Sequence, residues 1–396
     1  MTGTILPDQS GTAAHDTPID ATVSAPTEAD ACAPITRIAA RAFRIPTDAP
    51  EADGTFAWDA TTLIVVEVDA AGATGLGYTY SDGCVTTLVN RTLAKVLQGT
   101  DASRITERWL DMQRAVRNLG RDGIAATAIS ALDCALWDLH AKRLDVPVVT
   151  LLGRTRERVP IYGSGGFTTY SDARIREQLT RWTDEDGCRW VKIKVGSDPG
   201  RDPARVQCAR EAIGSGRGLF VDANGAFGTK AALKIAHTFA QTAVAWFEEP
   251  VTSDDLDGMR ALRRAAPAGM DIAAGEYGYT ADYFRRMLAA RAVDVLQADA
   301  SRCGGITGFL QAASLAEAQH IPLSAHCAPA LHLHAAAAVR GLLHQEWFHD
   351  HVRIESMLFD GAPRATDGTI APDLSRPGCG LEFKRADAER YAIDPA

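Results

Sequence analysis

Six polar residues, Lys194, Asp222, Glu248, Glu276, Asp299 and His326, each close a short apolar run, at intervals of 28, 26, 28, 23 and 27 residues. Three of them are acids: Asp222 ends LFVD, Glu248 ends AWFE and Glu276 ends IAAGE. Carboxylates brought together without a counter-charge raise one another's pKa and repel. A divalent cation relieves this, and an all-oxygen donor set without Cys or His suits Mg²⁺ better than Zn²⁺. Any one of these acids could simply cap the helix after it; three in register are not explained that way. The alternation in WFE turns Glu248 inward with Trp246 and sends the neighbouring Glu249 to the other side.

The remaining polar residues are candidate bases. In WVKIKV, residues 190–195, strand alternation puts Val191, Ile193 and Val195 on one face and Lys192 and Lys194 on the other. A buried cation is costly unless paired. Two adjacent ammoniums beside a metal depress each other's pKa, so a lysine here could be neutral near pH 7. Asp299 and His326 close consecutive runs, and an Asp one strand over can orient a His ring and stabilise its protonated form. Glu346, in HQEWFHDH, falls where an eighth strand is expected and, if protonated, could donate to a substrate oxygen.

The elements that position these residues follow from the rhythm of the chain. After residue 155, β-rich runs alternate with helical stretches such as PARVQCAREAIG, the pattern of a parallel sheet with crossover helices. The intervals match a β/α barrel, which spends about 30 residues per unit and gathers its strand ends on one face. An open doubly wound sheet would bring together only the ends near its switch point. Upstream, TTLIVVEV, AAGATG and LGYTY read as a hairpin. PTDAPEADGTFAW, residues 46–58, reads as a long exposed loop, and AATAISALDCALWDLHAKRL as a helix with Ile129, Leu132, Leu136 and Leu139 on one face. The expected division is a disordered tail at 1–33, an α+β domain at 34–150, a barrel at 151–355 and a C-terminal segment at 356–396.

Composition excludes several classes. A net charge of −9 with no dense Lys/Arg cluster argues against a nucleic-acid partner, and no apolar run approaches a membrane span. The first 36 residues lack Lys and Arg, so they resemble neither a secretory signal nor a transit peptide. None of the eight cysteines has CxxC spacing; they read as free thiols in a reducing compartment, the cytoplasm.

Together, Lys192-Ile-Lys194, Asp222-Ala-Asn224, Trp246-Phe-Glu-Glu-Pro250, Gly275-Glu276, the Asp299–His326 pair, Glu346 and the helix AISALDCALWDLHAK resemble the mandelate racemase subgroup of the enolase superfamily. The resemblance covers roughly residues 36–384. It implies a TIM-like (β/α)₇β barrel with an α+β capping domain built from the N-terminal region and the C-terminal tail, RPGCGLEF returning to the cap. It implies one Mg²⁺ on Asp222, Glu248 and Glu276 that chelates a substrate carboxylate and stabilises the enediolate formed when the α proton leaves. By the same resemblance Lys194 is one base, and Lys192 touches the carboxylate and tunes Lys194. His326, held by Asp299, is the acid or base on the opposite face, Glu346 donates to the carboxylate, Asn224 contacts substrate, and the protein is a homo-oligomer. SAHCAP and the 46–58 loop match no specificity pattern and leave the substrate's identity open.

The expected activity is therefore Mg²⁺-dependent dehydration of an acid sugar, an aldonate or aldarate, to a 2-keto-3-deoxy acid. A racemase or epimerase would use the same two bases. A non-catalytic binding protein should lack a ligand or a base, and none is missing. His349 and His351 have metal-like spacing but no neighbouring partners in the sequence, and read as structural, as do His332 and His334. GSGGF, residues 163–167, lacks a phosphate-loop Lys-Ser/Thr and reads as a place where substrate approaches the backbone. Arg302 and Arg353 are candidates for a second carboxylate, without support from the pattern.

Overall fold

The structure is a computed structural model and describes residues 32–394. All but the end of the tail expected at 1–33 lies outside the described residues. Ala33 is buried, its N–H donating to Asp101 and its carbonyl accepting from Ala102.

Strands β1 (Ile35–Ala52), β2 (Ala57–Ala70) and β3 (Ala73–Tyr80) form an antiparallel meander. Ala71 and Gly72 join β2 to β3 with φ of 49° and 77°, the paired left-handed geometry of a type I′ hairpin turn. The strand Ala392–Ile393 adds to the outer edge of β1, and Phe383 packs its ring 5.2 Å from that of Phe43, so the C-terminal tail completes the cap. The helix Ile124–Arg143 covers the sheet; Ile129, Leu132, Leu136 and Leu139 are all buried, as the spacing predicts.

The expected long loop at 46–58 is mostly strand. β1 and β2 pair up to Glu51↔Trp58 and Ala52↔Ala57, after a register shift between Pro46 and Glu51. Only 53–56 turns, with the Asp53 carboxylate accepting from the Thr55 and Phe56 N–H groups. The hairpin tip rests on the barrel. Thr168 N–H donates to the Ala52 carbonyl at 2.8 Å, and Trp58 sets its ring edge-on to Phe167 at 5.4 Å. Pro, Gly and Asp mark a loop locally; docking against residues more than a hundred positions away makes the segment extended instead.

Eight parallel strands form the barrel: β4 (Val159–Gly165), β5 (Trp190–Lys194), β6 (Gly218–Asp222), β7 (Val244–Glu248), β8 (Asp271–Ala274), β9 (Val295–Ala298), β10 (Leu323–Ala325) and β11 (Leu342–Phe348). The β11–β4 pairing closes the ring. A helix follows each strand, including the last, where His349–Leu358 leads the chain back toward the cap. Side chains alternate along each strand. Val191, Ile193 and Val195 join the core beneath the helices, while Tyr162, Phe220, Trp246, Ala273 and Val295 fill the barrel interior as a separate apolar layer.

The cap is keyed to the loop after β9 and the first turn of the helix Gly305–Ala318. Asp133 accepts from both the N–H (2.9 Å) and Oγ1 (2.7 Å) of Thr307, Ser130 Oγ accepts from Gly304 N–H, and Thr79 donates to the Ser301 carbonyl. That loop follows Asp299, so cap docking and placement of the Asp–His pair are coupled. Among the described residues no helix is long and apolar enough to cross a membrane.

Candidate active site

Above the apolar layer, the next inward positions carry the charges. Lys192 is completely buried and Lys194 nearly so. Lys192 Nζ lies 2.6 Å from Glu248 Oε1, 2.8 Å from Glu346 Oε1 and 3.8 Å from Asp222 Oδ2. Lys194 Nζ lies 2.5 Å from Asp222 Oδ2. Trp246, from the layer below, donates its indole N–H to Glu248 Oε2 at 2.9 Å.

Asp222, Glu248 and Glu276 are all buried, and one oxygen of each lies within 4.8 Å of the others. At that separation two carboxylates repel by roughly 3 kcal/mol at an effective dielectric near 20. Burial, and then Asp222, push the Glu248 carboxyl up to about 8. For Glu276 burial acts in the same direction, but His326, and behind it Arg302, hold it well below the usual range. The three oxygens, free of Cys and His, make a donor set that fits Mg²⁺. Glu276 reaches the set because Gly275 bends the chain with φ of 141° while a Cβ there would stand 2.0 Å from the Gln297 carbonyl oxygen. Only glycine fits such a close approach at positive φ.

β10 stands three ring positions from β5 by way of β11 and β4, and brings the second base across the mouth. His326 Nδ1 sits 2.7 Å from Asp299 Oδ2, and its Nε2 sits 3.0 Å from Glu276 Oε2. Burial pushes the imidazolium down; Cys327, Glu276, Glu346 and the Asp299 hydrogen bond outweigh it and raise it well above the ordinary value. Asp299 is correspondingly lowered, its hydrogen bond to His326 overcoming burial. Asn224 has φ of 47°, its N–H donates to Asp222 Oδ1, and its own Oδ1 is buried without a partner among the described residues.

Four expectations change. The lysines are raised rather than depressed: burial lowers each, but Glu248 and Glu346 outweigh it at Lys192, and Asp222 at Lys194. Free carboxylates beside an ammonium favour its charge more than a second ammonium disfavours it. At Glu346 burial acts upward, but Lys192 outweighs it and holds the carboxyl low, the direction that favours an acceptor. Glu346 accepts instead, from Ser164 Oγ at 2.5 Å and Cys327 N–H at 3.0 Å. Glu249 does not point away: with φ of 36° it turns back and is buried. Burial, and then Glu276 and Asp222, push its carboxyl well up. The glycines of GSGGF serve packing, since a Cβ at Gly163 would lie 2.4 Å from the Trp182 ring and one at Gly166 would lie 2.5 Å from Ile193.

Ser164 was not singled out from sequence, although it shares a strand face with Tyr162. Arg302, which no sequence pattern supports, places its guanidinium 3.6 Å from Glu276 Oε1 and 3.7 Å from Asp299 Oδ2. Cys327, one residue past His326, places its sulfur 3.3 Å from His326 Nε2. His332, His334 and His351 are structural, accepting from the N–H groups of Ala300, Val149 and Ala328. Arg353 pairs with Asp350 and donates to the Pro46 carbonyl.

Comparison with known proteins agrees with this architecture. The model of the mandelate racemase / muconate lactonizing enzyme N-terminal domain matches residues 40–153, and that of the enolase C-terminal domain-like family matches 174–388. The 3,6-anhydro-alpha-L-galactonate cycloisomerase of Streptomyces coelicolor is 36% identical over 361 residues, 89% of this chain and 98% of that one. A mandelate racemase/muconate lactonizing enzyme-like protein from Rubrobacter xylanophilus has a crystal structure that superposes with a TM-score of 0.89 at 49% identity, covering 91% of this chain and 100% of that one. The L-talarate dehydratase of Polaromonas sp. JS666, solved with Mg and L-glucarate, gives a TM-score of 0.83 at 31% identity over 92% of this chain and 98% of that one. The chain belongs to the mandelate racemase / muconate lactonizing enzyme group of the enolase superfamily.

Proposed function

We propose that this protein is a Mg²⁺-dependent dehydratase of an acid sugar, an aldonate or aldarate. The observation that carries the reading is the buried three-acid cluster flanked by Lys194 and the Asp299-held His326. The dehydratase relative solved with Mg and L-glucarate supports the choice of metal and substrate class. Mg²⁺ held by Asp222, Glu248 and Glu276 would offset their charge and the charge that builds on the substrate carboxylate as its α proton leaves.

Lys194 is the proposed base. With Asp222 engaged elsewhere, the attraction that holds its ammonium is removed, and burial and Lys192 then lower its pKa toward what a base requires. Lys192 contacts the carboxylate, and Glu346, between Lys192 and Ser164, positions it. His326 is the proposed acid: its imidazolium, stabilised by Asp299, gives a proton to the departing β hydroxyl, and the enol becomes a 2-keto-3-deoxy acid. Either residue can serve as the α-proton base, depending on the stereochemistry at that carbon. Asn224, with its unpartnered oxygen, contacts a substrate hydroxyl.

An isomerase is the second reading, favoured by the cycloisomerase at 36% identity; the racemase or epimerase form uses Lys194 and His326 on opposite faces. The proposal also takes residues 34–150 as cap, 151–355 as barrel and 356–396 as the returning segment, in a cytoplasmic homo-oligomer. Eight free thiols support a reducing compartment. The test is a library of mono- and diacid sugars, with a 3,6-anhydro acid included, incubated with Mg²⁺ and developed with semicarbazide. Keto acid from at least one aldonate or aldarate is expected; turnover of the anhydro acid alone would favour the isomerase.

A further inference from the structure

Asp48 and Glu51 lie where β1 slips its register against β2. His349 opens the helix after β11, about three hundred residues later. The fold brings them together: one carboxylate oxygen from each acid and one imidazole nitrogen lie within 4.8 Å of one another. Asp48 uses its two oxygens separately, Oδ1 toward Arg174 at 3.2 Å and Oδ2 toward His349 Nε2 at 3.1 Å.

Glu51 is the second, independent observation. It is 1% exposed; Oε2 accepts from Trp58 Nε1 at 2.8 Å, while Oε1 is buried without a partner among the described residues. A buried carboxylate oxygen left unpaired is costly. That buried oxygen belongs to the same converging group as Asp48 and His349, where a cation would partner it. Cavities of about 330 and 290 Å³ adjoin the cluster, both lined by Asp48 and His349, and leave room for water ligands.

Two carboxylates and an imidazole suit a borderline transition ion, and three protein ligands with an open position are a recurrent zinc arrangement. We propose that Asp48, Glu51 and His349 form a zinc-binding site, distinct from the three acids at the barrel mouth, that ties the β1–β2 hairpin to the barrel after its eighth strand. The hairpin tip leans on the mouth: a Cβ at Gly54 would lie 2.4 Å from the Ala223 oxygen and 2.7 Å from that of Val195. Zinc on the three residues therefore fixes the segment that borders the substrate entrance. The site does not rest on the dehydratase reading.

The test is calorimetric titration of the full, demetallated chain with Zn²⁺ under saturating Mg²⁺. One Zn²⁺ per chain is expected, bound at least tenfold more weakly by His349→Gln and by Asp48→Asn, with Mg²⁺ binding kept in both as evidence of an intact fold. Cys327→Ser should keep the zinc, which separates this site from the His326–Cys327–Glu346 group, whose ligand atoms also converge. Anomalous scattering at the zinc edge from wild-type crystals needs no variant and should peak between Asp48 and His349. Absence of Zn²⁺ binding, undiminished affinity in both variants, or a peak at Cys327 alone would overturn the proposal.

Discussion

At the scale of single residues, the proposed bases make separable demands. Lys194→Ala and His326→Asn should each lower kcat by about 10²–10⁴-fold, the range for loss of a positioned acid or base. Circular dichroism and Mg²⁺ binding should stay near wild type; full activity in both variants would defeat the assignment. Most of this site was legible from alternation and spacing. Parity in WVKIKV turned Lys192 and Lys194 inward, and the intervals gathered Asp222, Glu248, Glu276, Asp299 and His326. Charge states were not legible, because they depend on distances between strands: Lys192 at 2.8 Å from Glu346 favours the ionised form of that acid. Nor was Glu249, since one residue with positive φ breaks the alternation that would have carried it outward.

At the scale of elements, two joints can be tested. Gly275→Ala forces a Cβ against the Gln297 carbonyl and should displace Glu276. Mg²⁺ affinity is expected to fall by about 10–100-fold, as when the support of a metal ligand is lost, with secondary structure retained; calorimetry reads it, and unchanged affinity would show that Glu276 does not depend on this turn. The second joint is Glu355, which accepts from Tyr78 in the cap (2.6 Å) and from Ala330 N–H in the barrel (3.0 Å). Burial pushes its carboxyl up from 4.5 to about 8. A raised folded-state pKa contributes stability that is full below the unfolded value and lost as pH rises toward the folded one. Wild-type stability should therefore fall between pH 5 and pH 8, by at most about 1.4 kcal/mol per pH unit from this group. Glu355→Gln should flatten the urea-midpoint profile over that window; parallel profiles would mean that the group is ionised throughout. The barrel strands could be read from sequence because each is a short apolar run with its own end signal. The 46–58 hairpin could not, because its pairing is set by contacts with Thr168 and Phe167 rather than by its own composition. The contact between His349 and Asp48 is likewise invisible locally, because the two lie three hundred residues apart in the chain.

At the scale of the whole molecule, the barrel supplies the charges and the cap closes over them. The hairpin tip leans on the mouth, and the long cap helix is bolted through Ser130 to the loop that follows Asp299 and through Asp133 to the first turn of the next helix. This division explains why the chemistry is readable in the barrel while the substrate is not: the α-proton machinery sits on strand ends, whereas the walls around the distal part of a substrate come from segments docked at long range. The direct test is NMR of aldonates and aldarates incubated with the enzyme and Mg²⁺ in D₂O, following the α proton and the appearance of a 2-keto-3-deoxy acid together. For at least one acid sugar the α proton should disappear as keto acid forms, and both changes should slow by about 10²–10⁴-fold in the variant that removes the α-proton base, Lys194→Ala or His326→Asn according to the stereochemistry at that carbon. Exchange without keto acid would contradict dehydration and favour an epimerase; absence of both across the whole panel would contradict α-proton chemistry on acid sugars.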